Sequence, residues 1–167
     1  MLRDECGYRG AQPYWDWTLD TRSAEDWAKS PVFDAKTGFG GNGAYVEGEP
    51  GNPFEVPGRT GGGCVVDGPW AGKGDVVHLG PQDGVVYNPQ CLKRDLSPYF
   101  AARYLAVNQT QLTLRQPDFG TFDRVVQGGP SFEMSGVHGG GHYGVGGTFG
   151  ELFLFKIWVE ALTNKGV

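Results

Sequence analysis

The sequence predicts a mainly α-helical domain with long irregular loops and a minor β-hairpin. Segments with helical spacing gather in the second half, at 96–105, 119–126 and 151–162. Gly at 29 and Pro at 11 make up about a quarter of the 167 residues, which calls for long connections. Two short β-like runs, Val76–Leu79 and Val85–Tyr87, suggest one hairpin across Gly80–Gly84. Aromatic residues at 13% are too many for a disordered chain, so the loops should be packed.

The length suits a single domain, or a piece of one whose remaining part supplies much of the core. The net charge of −5 and the lack of a basic run exclude a nucleic-acid partner. No apolar run reaches membrane-spanning length, so no membrane partner is expected. The start, Met1–Cys6, has no apolar leader core and reads as if it opened inside a domain. The compartment stays open, and Asn108-Gln-Thr110 is a glycosylation sequon that matters only in a secreted chain.

In chain order, Tyr14, Trp15 and Trp17 should anchor the first loop by aromatic packing, with Asp16 capping a turn. Residues 44–63, rich in Gly, Pro and Glu, read as a surface loop. Three cysteines allow at most one internal pair. Cys64 and Cys91, both in loop contexts, are one choice, and three buried thiols in a reducing compartment are the other. His78 sits in an apolar alternation and reads as a structural or surface histidine, not a ligand.

Leu96–Leu105 should form a short helix after Ser97, with Pro98 at its first position. Val107–Leu114 alternates apolar and polar residues and reads as extended. Phe119–Val126 has helical spacing, with Thr121 as its cap. Glu151–Leu162 is apolar on nearly every face and should be a buried helix, with 163–167 as its frayed end.

Two of the three histidines, His138 and His142, stand four residues apart within Glu133–Gly147. On a helix that spacing stacks both imidazoles on one face, where they can share a metal ion. Neutral imidazole suits copper, zinc or iron, and a well-held site needs a further ligand. The intervening glycines oppose a helix by about 1 kcal/mol each. Residue chemistry therefore leaves two readings, a metal-binding helix and a flexible glycine loop.

Pro13-Tyr-Trp-Asp-Trp17 resembles the signature of the tyrosinase copper-binding domain of fungal tyrosinases and polyphenol oxidases. Further segments follow in the family's order: Ser30–Asp34, Thr37–Gly43, Gly63–Trp70, Gln90–Arg94 with Gln90 where a His is frequent, and Val137–Gly147. The resemblance covers residues 6–147 and implies a partial four-helix bundle. It also implies copper, two ions in the family with three histidines each, and a phenolic small-molecule substrate oxidised to a quinone. By that resemblance His138 and His142 are ligands of the second copper, and Ser131–Glu133 leads into their helix, with Glu133 at its start or behind the ligands.

The chain departs from the family pattern in three places. No histidine precedes Pro13, where the first copper's ligands stand in the family. No histidine follows Gly147, where the third ligand of the second copper is expected. Gly139 replaces an Asn found in many members. The expectation is one partial domain over 1–167, its first copper site missing upstream of residue 1 and its second starting at about 131 and incomplete. At most one copper should bind, weakly, and no catalytic residue is assigned. The alternatives are a non-catalytic interaction module with an aromatic, glycine-rich loop surface, and a glycan-binding β-module.

Overall fold

The computed structural model describes residues 3–11, 14–48, 55–79, 87–129 and 131–147. These form five α-helices and a two-stranded antiparallel sheet. The helices are α1 (Ala24–Ala28), α2 (Pro98–Tyr104), α3 (Val107–Leu114), α4 (Phe119–Gln127) and α5 (Val137–Val145). The strands are β1 (Val77–Leu79) and β2 (Tyr87–Gln90), paired Val77 to Gln90 and Leu79 to Tyr87 with a register irregularity between. Of the expected second run, Tyr87 opens β2, and Val85 and Val86 lie outside the described residues. The Glu151–Leu162 segment and residues 163–167 lie outside the described residues.

The core sits where α1, α2 and α5 meet. Trp27, Phe33, Leu96, Ala101 and Leu105 are buried together, with Trp15, Trp17, Val32, Val137 and Val145 packed around them. Trp15 stacks on Trp27 at a centroid distance of 5.0 Å, and Phe33 meets both edge-on. Trp15 Nε1 donates to Asp20 Oδ2 at 2.7 Å, and Ser30 Oγ donates to the same oxygen, so the indole's polar end is satisfied. Tyr14, by contrast, is 86% exposed. Its neighbour Trp15 occupies the inward direction, so the expected packing holds for Trp15 and Trp17 only.

Asp16 caps the 3-10 turn Trp17–Leu19 as expected, accepting from Thr18 N at 3.2 Å. Ser97 caps α2, accepting from Phe100 N at 3.2 Å, with Pro98 opening the helix. Val107–Leu114 is helical, not extended. Trp17 Nε1 donates to Thr110 Oγ1 at 3.1 Å, and Thr113 Oγ1 turns back onto Gln109 O at 2.9 Å. Those contacts override a weak local preference for strand. In α4 the cap is Asp118, which accepts from Thr121 N at 2.9 Å. Thr121 lies inside the first turn and donates its hydroxyl to Asp118 Oδ2.

Cys64 and Cys91 form a disulfide, and Cys6 is free and exposed, so the reading of three buried thiols fails. A loop of this length, 27 residues apart in sequence, limits the unfolded chain by about 3–4 kcal/mol in the chain-entropy account. Just beyond the bridge, Arg94 is buried and its guanidinium donates to the carbonyls of Phe39, Gly40 and Gly41 while lying over the Phe33 ring. The glycine loop that follows Phe33 is thereby tied to the core. Asp95 accepts from Thr60 N, Gly61 N and Arg59 Nε, which secures the end of the 44–63 segment.

Candidate metal centre

Helix α5 carries both histidines, so the glycine-loop reading of Val137–Val145 is set aside. The glycines that lower its intrinsic propensity are what let it approach α2. A Cβ on Gly140 would stand 2.7 Å from Tyr104 Cβ and 3.0 Å from Leu105 Cδ2. Gly144 faces Trp27. Tertiary packing thus outweighs the propensity cost. The helix ends at Gly146, whose φ of +60° and close approach to the Asp95 carbonyl suit only glycine.

The start of α5 is set by the turn from α4. Gly136 N donates to Gln127 O, and a Cβ on Gly136 would stand 2.2 Å from Val126 O. The last turn of α4 therefore abuts the first turn of α5. Between them, Phe132–Met134 forms a separate 3-10 turn, and Gly136 caps α5. Ser131–Glu133 does not run into the histidine helix: the extended backbone of Ser135 and Gly136 breaks the path. Glu133 is exposed, and its carboxyl is held below the usual range first by its own backbone N–H and then by Ser131.

The two rings face each other. His138 Nε2 and His142 Nε2 are 2.8 Å apart, with centroids at 4.7 Å. At that distance one ring nitrogen hydrogen-bonds the other. Nitrogens held this close on one face of a helix are also near the separation of about 3 Å at which two imidazoles can share one ion. Partial burial first, and the neighbouring His142 second, push the His138 imidazole below its ordinary pKa, which favours the neutral form a metal needs. His138 Nδ1 lies 2.5 Å from Gln127 Oε1. An aromatic layer of the buried Phe100 and the half-buried Phe132 and Tyr143 supports the helix from behind, with Tyr104 O–H donating to Phe132 O.

Among the described residues, no group of three or more His, Cys, Asp or Glu side chains is arranged to hold a metal. His78 is exposed on β1, with its Nε2 2.8 Å from Asp75 O. Gln127 escaped sequence reasoning. Nothing in its residue type marks it, and its one signal is a place at the last turn of an amphipathic helix before Gly128-Gly129.

Comparison with known proteins agrees with this architecture. Residues 1–154 match the tyrosinase family by its common central domain. The chain is 34% identical over 183 residues to the N-acetyl-6-hydroxytryptophan oxidase of Emericella nidulans, covering 91% of this chain and 47% of that protein. It is 32% identical over 167 residues to tyrosinase P of Aspergillus terreus, covering 87% and 45%. A polyphenol oxidase variant from Thermothelomyces thermophila superposes with a TM-score of 0.68 at 36% identity, over 98% of this chain and 48% of that one. The chain spans about half the length of these relatives.

Proposed function

The chain belongs to the tyrosinase family, and on that premise we propose that His138 and His142 are two ligands of one copper ion in a domain that oxidises phenols or catechols. The observation that carries this reading is the 2.8 Å separation of their Nε2 atoms on one face of α5. Copper, when bound, supplies the redox chemistry that converts a phenolic substrate to a quinone. The chain's part is to hold the two imidazoles at a fixed spacing on a helix locked against α2. The helical fold leaves no support for the glycan-binding β-module.

Residues 1–167 contain three histidines, against six for a copper pair. Turnover therefore depends on donors beyond these residues, and the 1–167 polypeptide alone binds at most one ion and is inactive. Titration of the purified polypeptide with Cu(II) tests this. One weak site is expected, lost in both His138→Ala and His142→Ala. Binding indifferent to both substitutions, or robust catechol oxidation by the polypeptide, overturns the reading. The exposed Tyr14, Tyr45 and Trp70 also suit an interaction module. That reading gains if a partner is captured with no dependence on copper.

A further inference from the structure

The described histidine pair has a neighbour whose chemistry decides which ring nitrogen is available. Gln127 ends α4, eleven residues before His138, and its Oε1 lies 2.5 Å from His138 Nδ1. An amide oxygen only accepts, so the shared proton must sit on Nδ1. In a neutral imidazole the lone pair then lies on Nε2, the atom facing His142. The orientation of the amide has its own support: Gln127 Nε2 faces Asp123 Oδ1 at 3.5 Å, one turn back on α4. A flipped amide would set oxygen against carboxylate there and N–H against Nδ1.

We propose that Gln127 is the positioning residue of this centre, fixing His138 in the Nδ1–H tautomer so that Nε2 is the donor offered to the metal. The metal half of this statement rests on the copper reading above; the tautomer half does not. Partners of this kind fix ring orientation and raise ligand basicity, and losing one costs about 10–100-fold in metal affinity. The glycine-mediated abutment of α4 on α5 explains why a residue from another helix can serve. Gly136 admits the Val126 carbonyl, and Gln127 lands beside the first turn of α5.

The experiment is nitrogen-15 NMR of the histidine side chains in the metal-free 1–167 polypeptide, paired with Cu(II) titration. The wild type should show His138 protonated on Nδ1. Gln127→Leu should move the proton toward Nε2 and weaken Cu(II) binding about 10–100-fold. Gln127→Glu, which keeps an acceptor, should restore the Nδ1–H tautomer. Far-ultraviolet circular dichroism checks that the variants keep their helix content, and Gln127→Asn, whose shorter amide withdraws the acceptor from Nδ1, makes the same comparison if Gln127→Leu does not fold. An Nε2–H tautomer in the wild type, or no change in a folded Gln127→Leu, overturns the proposal. A shifted tautomer with no copper binding in any variant upholds the role of Gln127 and removes the copper reading alone.

Discussion

The indole N–H of Trp27 donates to the backbone carbonyl of Gly144 at 2.9 Å, joining residues 117 positions apart. The same carbonyl accepts from Ser97 N at 3.0 Å. Trp27 is fully buried and stands at the junction of α1, α2 and α5. One side chain thus sets where the histidine helix lies.

Trp27→Phe removes that donor and leaves a void beside Gly144. The expected loss is about 2–4 kcal/mol, from the missing hydrogen bond together with the lost packing. Urea unfolding followed by fluorescence of the remaining tryptophans measures it. A loss within error of zero would show that the contact does not hold α5.

The glycines of α5 should divide sharply. Gly140→Ala pushes a methyl into Tyr104 and Leu105 and should destabilise by about 1–3 kcal/mol. A Cβ on Gly141 meets nothing within 4 Å, so Gly141→Ala should stabilise by about 0.5–1 kcal/mol through helix propensity alone. Thermal melts of the two variants decide it, and equal shifts would contradict the packing described.

Arg94 is buried and serves the carbonyls of Phe39, Gly40 and Gly41 together. Lysine keeps the charge but lacks the planar fork, so Arg94→Lys should cost about 2–3 kcal/mol. Limited proteolysis should then cut first within 37–43. Wild-type resistance of that loop in the variant would count against the tether.

Acid should destabilise the fold in two stages. The Asp34 carboxyl is held low chiefly by the Thr37 backbone N–H, and that of Asp118 by the Thr121 backbone N–H. Such lowered groups give stability that is full above the unfolded pKa of about 3.9 and lost as pH falls through their native values. The His138 imidazole is also lowered, by burial and then by His142, so the unfolded chain takes its proton first. Stability should therefore begin to fall below about pH 6.5 and drop again below about pH 4. His138→Gln should flatten the first stage and Asp118→Ala the second, read as Tm against pH. A Tm that rises from pH 6.5 to 5 would contradict the His138 environment.

Much of the fold was readable in the residues because the signals were local. Ser97-Pro98 opens a helix by filling an orphan backbone donor and fixing φ, and the structure has that cap. Val107–Leu114 misled because its alternation is a weak preference, overturned by a tryptophan more than ninety positions earlier. Thr121 was one turn off because Asp118, three residues before, is the better acceptor. Glu133 looked like a helix start because nothing local reveals the break at Ser135-Gly136.

By itself the sequence determined the family, through ordered motifs, and the pairing of His138 with His142, through a spacing that helical geometry converts into one face. Only the tertiary structure decided that the glycine-rich stretch is helical, since its propensity cost is offset by a close approach to α2 that no local pattern encodes. It alone also brought Gln127 to His138 Nδ1. Side-chain hydrogen bonds between helices depend on how backbones abut, and that is a property of packed surfaces rather than of neighbouring letters.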